Sequence, residues 1–253
     1  MPQDEFTPDR TTTALYPEAT VGGYSHLDVS IEFYSRINAL LDQDSHVLDF
    51  GAGRGWWAHE PVPPLHRKLR WLKGRVARSV GTDVDAAVLE NPALDEAHVV
   101  GIGEPLPFPD ASFDVVIADY VLEHVNHADV AQVSGEIMRV LKPGGYFAAR
   151  TPNKWGFIGI AARAVPNGLH TKVLKVLQPN RKVEDVFPVR YAMNTRRQLR
   201  RAFPGQSVVV YGQTGEPAYF GTNVWVWRFV DLISRFIPRR LAPTLTVFVR
   251  KQR

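Results

Sequence analysis

Cysteine is missing from all 253 residues, which excludes disulfides, thiolate metal centres and a cysteine nucleophile. No uninterrupted apolar run is long enough to span a bilayer. Residues 1–10 are polar and acidic, with neither a basic n-region nor an apolar h-region. No secretory signal is therefore expected, and a cytoplasmic protein is. There is no internal repeat, no low-complexity linker, no zinc-finger spacing and no RNP-like segment. A net charge of +4 is modest for a nucleic-acid binder, so no nucleic-acid partner is expected.

What is present is an ordinary globular composition, 45% hydrophobic and 22% charged, which fits one domain over 1–253. Strand-like apolar runs fall at 46–50, 79–82, 98–100, 113–118 and 146–150, then at 207–211 and 245–250. Helical periodicity falls between them, at 29–42, from Trp56 to His59, at 130–141, from Asn194 to Phe203 and at 224–237. Asn194 is the expected N-cap of its helix, and Lys142-Pro143-Gly144-Gly145 the expected stop after 130–141. Strands alternating with helices make an α/β fold with a mostly parallel sheet covered on both faces. The layout is an N-terminal helical segment at 1–45, a core at 46–151, a cap at 152–193 and C-terminal strands and helix at 194–253.

The most informative stretch is Val47-Leu48-Asp49-Phe50-Gly51-Ala52-Gly53-Arg54-Gly55. Alternate glycines at the end of a buried strand let backbone approach a ligand closely, at the strand edge where open α/β sheets bind. A dinucleotide loop would carry Gly or Ala where Trp56 stands. The D-x-G-x-G-x-G spacing instead resembles motif I of the class I S-adenosylmethionine-dependent methyltransferases. Other segments are similar to the same family. These are Val80-Gly81-Thr82-Asp83, the run from Glu104 to Asp114, Leu122-Glu123-His124-Val125 and Leu141-Lys142-Pro143-Gly144-Gly145.

The resemblance implies a Rossmann-like seven-stranded sheet with S-adenosylmethionine as cofactor. Asp49, Gly51, Gly53 and Gly55 would line it, and Asp83 would bind the ribose hydroxyls, with Asp85 nearby and Val84 beside it. Ile102 stands where the family often has an acid for the adenine amino group. Adenine would then rest on the backbone of Ile102 and Gly103, next to Glu104. Asp119, Tyr120 and Tyr24 complete the cofactor set, Tyr24 toward the methionine part.

Methyl transfer to an alcohol needs orientation and a base. His124 is the leading candidate, with Glu123 and Asp119 beside it; the alternative is that His124 only caps a helix. The same three residues are a candidate set for a hard cation such as Mg²⁺. The acceptor is expected among Trp56, His26, Asn153, Trp155, His170 and Tyr191, where flat rings stand near polar groups. Thr151-Pro152-Asn153-Lys154 resembles a bacterial subgroup associated with polysaccharide and glycolipid assembly, which implies O-methylation of a saccharide. The runner-up acceptor is lipid-like or a quinone, and a non-catalytic binding module is the reading from another class.

Residues 65–78 are strongly basic, with Leu65, Leu69, Leu72 and Val76 at helical spacing. The expectation is an amphipathic helix docked on the sheet with its charges in water. Its competitor is that 65–78 and 224–237 touch an anionic membrane.

Overall fold

The computed structural model describes residues 6–157, 159–160, 189–217 and 223–253. Most of the expected cap lies outside them. Seven strands form one sheet: β1 (His46–Phe50), β2 (Arg78–Asp83), β3 (Glu96–Val99), β4 (Phe113–Asp119), β5 (Leu141–Pro152), β6 (Ser207–Gln213) and β7 (Thr244–Arg250). Their spatial order is β3-β2-β1-β4-β5-β7-β6. All pairings from β3 to β5 are parallel, and β7 runs antiparallel between β5 and β6.

The described helices are α1 (Arg10–Leu15), α2 (Val29–Asn38), α3 (Trp56–His59), α4 (Pro64–Arg70), α5 (Val130–Val140), α6 (Arg196–Ala202) and α7 (Val224–Phe236). Successive strand residues point to opposite faces, and the core divides accordingly. Leu48, Val116, Ala118, Phe147 and Ala149 join one cluster with Val133, Ile137 and Val140 of α5 and Leu199 of α6. Val47, Val115, Ile117 and Ala148 join the other with Phe33, Tyr34 and Ile37 of α2. Both faces of the sheet are therefore covered, as the continuous apolar strands require.

Three local expectations are corrected. The basic helix stops at Arg70, where Trp71 turns extended at φ −76°, ψ 96°. Gly74 beyond it takes φ +74°, a left-handed value that ends any helical continuation. Leu72 and Val76 are buried all the same, through a turn instead of a helix. The charges nearby are largely engaged with other parts of the chain, most of them at the surface. Lys73 donates to Leu94 O at 2.7 Å, Arg67 to Glu60 O at 3.0 Å, and Arg75 to Lys68 O at 2.6 Å and Asn38 Oδ1 at 2.7 Å.

The N-cap of α6 is Thr195, whose side chain accepts from Gln198 N. Asn194 is fully buried and donates instead to Thr151 Oγ1 at 2.7 Å and Pro152 O at 2.9 Å. Lys142–Gly145 does follow the end of α5 at Val140, as expected, but the fifth strand begins at Leu141 and takes it in instead of starting at 146. The run forms an irregularity at the start of β5, with Gly144 at φ +84°.

Among the described residues no helix is long and apolar enough to cross a membrane.

Candidate active site

The carboxyl ends of β1, β2, β4 and β5 make one edge, which carries the glycine loop, Asp83 and Leu122–Val125, whereas Leu141–Gly145 lies at the opposite end of β5. Gly51, Gly53 and Gly55 have φ of +80°, +52° and +64°. A Cβ on Gly51 would sit 2.3 Å from Val121 Cγ2, and one on Gly55 would sit 2.4 Å from Asn91 Oδ1. At Gly53 the nearest atom would be Asp83 Oδ2 at 3.9 Å, an ordinary contact, so that position alone has room. The loop is packed on its outer positions and bare at its centre, the shape of a cradle.

Asp83, at the end of β2, holds the cradle's height. Its Oδ2 accepts from Gly53 N at 2.8 Å and its Oδ1 from Asp85 N at 2.9 Å. A carboxylate has about four acceptor positions, so two remain for other donors. Val84 beside it is 41% exposed. Asp83 O accepts from Val100 N at 2.9 Å, which brings in the loop of Ile102 and Gly103. Gly103 is left-handed at φ +79° and Ile102 is 48% exposed. Glu104 closes that loop on itself, its Oε2 accepting from Gly101 N at 3.0 Å.

Asp119 ends β4 in the densest charge cluster of the site. Arg150 donates Nε to Oδ1 and Nη2 to Oδ2, each at 2.7 Å. Arg70 Nη2 donates to Oδ2 at 2.9 Å and Tyr34 Oη at 3.0 Å. Burial alone would raise this carboxyl, but the charges of Arg150 and Arg70 hold it below the usual range. A carboxylate so held is a poor proton acceptor, and its oxygens are already engaged. Among the described residues, Asp119, Glu123 and His124 form no cluster that could hold a metal. The expected cation set therefore does not assemble, because Asp119 turns to two arginines.

Asp49 lies across from this cluster. Burial pushes its carboxyl up to about 7, helped by the charges of Asp119 and Asp83 and opposed by Arg70. Three acids thus converge on one edge, and the two arginines there pair directly with Asp119. That donor set fits a cationic group, such as the sulfonium and ammonium of S-adenosylmethionine, far better than a phosphate. Tyr120 follows Asp119 at a left-handed φ of +61°, its N–H donating to Arg150 O at 3.0 Å.

Glu123 lies in the 3₁₀ turn Leu122–His124 just beyond β4 and is 4% exposed. Thr151 Oγ1 donates to its Oε2 at 3.2 Å, and Asn194 donates to that Thr151 oxygen in turn. Burial pushes Glu123 up to about 7, with the Asp119 charge adding and the Thr151 hydrogen bond opposing. His124, next in the turn, is half-buried.

The expected acceptor residues do not all converge. Trp56, Tyr120 and Trp155 expose 52%, 40% and 55% of their surface just past the ends of β1, β4 and β5. Asn153 is a correction: it is buried and its side chain is consumed by structure. Its Nδ2 donates to Arg240 O and Ala242 O, and its Oδ1 accepts from Trp155 N. His26 pairs with Glu18, Nδ1 to Oε1 at 2.6 Å, and packs edge-on to Tyr16. Tyr24 lines a groove of about 390 Å³ with Phe6, Pro64 and Leu65. Those contacts tie both residues to the N-terminal segment and α4. Tyr191 is left-handed at φ +54°, its carbonyl accepting from Gln198. His170 lies outside the described residues.

Sequence reasoning missed Arg150, Arg70, Tyr34, Thr151 and Asn91. Arg150 carried a signal, an arginine ending the apolar Ala148-Ala149 in a strand buried on both faces. Asn91 carried a weaker one, an Asn before a Pro; its Nδ2 donates to Gly53 O at 3.0 Å and braces the loop.

Comparison with known proteins agrees with this geometry. Residues 48–149 match the family described as "Methyltransferase domain". A probable S-adenosylmethionine-dependent methyltransferase of Mycolicibacterium smegmatis is 37% identical over 52% of this chain and 47% of its own. A ubiquinone/menaquinone biosynthesis C-methyltransferase UbiE of Laribacter hongkongensis is 33% identical over 39% of each. The match thus spans less than half the length of these curated relatives.

Among solved structures, a SAM-dependent methyltransferase from Archaeoglobus fulgidus superposes with a TM-score of 0.54. It is 16% identical, over 90% of this chain and 95% of that one. One from Methanosarcina mazei gives 0.52 at 18% identity, over 86% and 97%. At such identity the superpositions speak for the fold alone. Residues 48–149 are thus similar to a methyltransferase domain, and the strand order and motif set resemble those of the class I S-adenosylmethionine-dependent methyltransferases.

Proposed function

We propose that this chain transfers the methyl group of S-adenosylmethionine to a hydroxyl of a saccharide, free or carried on a glycolipid. The observation that carries the acceptor reading is the trio of exposed rings, Trp56, Tyr120 and Trp155, past three adjacent strands. Sugars lay their C–H faces on such rings while neighbouring polar groups bind hydroxyls. When bound, the donor supplies an activated methyl on a good leaving group, so the carbon–sulfur bond breaks as the carbon–oxygen bond forms.

The chain's own residues supply the rest. The glycine cradle and Asp83 orient the donor, and Asp49 answers its positive charge. Glu123 takes the hydroxyl proton. Of the two candidate carboxyls it is the one that burial pushes up to about 7, which suits proton transfer at physiological pH. Asp119 is ionised but locked by arginines, and acts by holding the edge in shape.

Quinone or other lipid-like acceptors are the second reading, favoured by the UbiE relatives. Incubation with radiolabelled methyl donor and a panel of saccharides, glycolipids and quinols separates the two. Label recovered as a methyl ether of a sugar supports the proposal, and label confined to a quinol ring carbon overturns it. Absence of donor binding by calorimetry would leave a non-catalytic scaffold.

A further inference from the structure

Helix α7 has two faces of different character. Trp227 points inward, 2% exposed, against Tyr16 at 6.4 Å between rings. The opposite face carries Trp225, Phe229, Leu232, Ile233 and Phe236, exposed by 74, 63, 54, 37 and 79%. Their spacing of three and four residues makes one continuous stripe along the helix. Scattered exposed apolar residues are ordinary, but a contiguous stripe of five large ones marks a docking surface.

The charges around that stripe have one sign. Arg228 lies over the Trp225 ring at 5.2 Å, and Arg239 and Arg240 follow in the next turn, exposed. The helix's acid, Asp231, is turned inward, 19% exposed, and is paired with Arg235 at 2.8 Å. An apolar face with aromatic residues and an arginine fringe is the profile of a helix lying in a membrane interface.

We propose that α7 docks this protein on an anionic lipid surface, with the stripe in the headgroup–acyl boundary and Arg228, Arg239 and Arg240 toward lipid phosphates. The docking face is tied to the acceptor edge. Asn153, just past β5, donates to the carbonyls of Arg240 and Ala242, and Tyr120 Oη lies 3.2 Å from Thr244 Oγ1. A protein seated this way would meet an acceptor that carries a lipid anchor. That last step rests on the acceptor reading above, whereas the docking does not.

The test is flotation of the purified full chain with vesicles of phosphatidylcholine alone and of phosphatidylcholine mixed with phosphatidylglycerol. Flotation with the mixed vesicles is expected. Phe229→Ser with Phe236→Ser should lower partitioning by about tenfold or more at an unchanged melting temperature. Arg239→Gln with Arg240→Gln should lower it for mixed vesicles and leave the salt dependence shallower. Donor binding by calorimetry should be the same in all three proteins, so a failed docking is distinguishable from a failed methyltransferase. A wild type that stays in solution, or an apolar variant that floats equally, overturns the proposal. So does a dimer in sedimentation that the apolar variant dissolves, because a second copy would then cover the face.

Discussion

Arg150 grips Asp119 through two parallel hydrogen bonds, Nε to Oδ1 and Nη2 to Oδ2, both 2.7 Å. The two residues face each other in register across β4 and β5, and Arg150 is 2% exposed. A buried arginine is tolerable only with its charge answered. Arg70, arriving from α4, shares the same carboxylate. One acid thus joins two strands and the basic segment that follows the glycine loop.

Asp119→Asn leaves two guanidinium groups buried without their counter-charge. The expected cost is about 3–5 kcal/mol of stability, read from urea unfolding. Replacing the pair together, Asp119→Leu with Arg150→Met, should recover part of that loss. A single variant as stable as the wild type would deny the clamp its structural role.

Asp83→Ala removes the acceptor of Gly53 N–H and the side chain assigned to the ribose. Calorimetry with S-adenosylhomocysteine should show affinity lower by at least about tenfold, and unfolding should cost about 1–2 kcal/mol. Unchanged affinity would remove Asp83 from the cofactor site.

Glu123→Gln should lower turnover by about 10²–10⁴ while sparing cofactor affinity. The base works ionised, so wild-type turnover should rise with pH through about 7, and the variant should lose that limb. His124→Ala is the companion measurement. Turnover surviving Glu123→Gln and vanishing in His124→Ala would move the base by one residue.

Asp49 should release a proton when the donor binds. Its carboxyl sits near 7 in the free protein, and a cation placed beside it lowers that value. Calorimetry near pH 6.5 in buffers of different ionisation enthalpy reads the release, which Asp49→Asn should abolish. The same raised values act on stability. The folded state holds its proton more tightly than the unfolded chain at both Asp49 and Glu123. Stability from these groups is therefore present at low pH and lost as pH rises, from 3.8 to about 7 at Asp49 and from 4.5 to about 7 at Glu123. Glu123→Gln should flatten the melting temperature between pH 5 and 7.

Gly55→Ala and Gly144→Ala form a contrast. Both are left-handed, at φ +64° and +84°, so each pays a strain of roughly 1 kcal/mol. Only at Gly55 does the new methyl also collide, with Asn91 Oδ1 at 2.4 Å; at Gly144 the space is open. Thermal unfolding should rank Gly55→Ala clearly lower, and cofactor affinity should fall in that variant alone.

Much of this molecule could be read directly from its residues. The strands were visible because apolar runs such as Phe113–Ala118 are buried on both faces and need no partner to declare themselves. The glycine loop was visible because its spacing is set by backbone geometry. What escaped was long-range polar pairing. Arg70 sits in a basic run and Tyr34 on the apolar side of a helix, and only the fold brings them to Asp119. Asn153 misled in the opposite sense: it looked free for an acceptor, yet its amide is spent on the turn before β7. The basic run misled because Leu72 and Val76 keep helical spacing while Gly74 breaks the helix.

The position of β7 has a consequence for how the chain is made. β7 is inserted between β5 and β6, and Tyr146 pairs with Arg250. While a ribosome is still adding the intervening residues, β5 lacks the strand that pairs with its edge in the finished sheet. Open edges of this kind invite wrong partners, and contacts this distant in sequence form slowly. Synthesis of this protein therefore passes through an interval in which a nearly finished sheet lacks one inner strand. Aggregation during expression should be decided in that interval, more by chaperone supply and translation rate than by the stability of the finished fold.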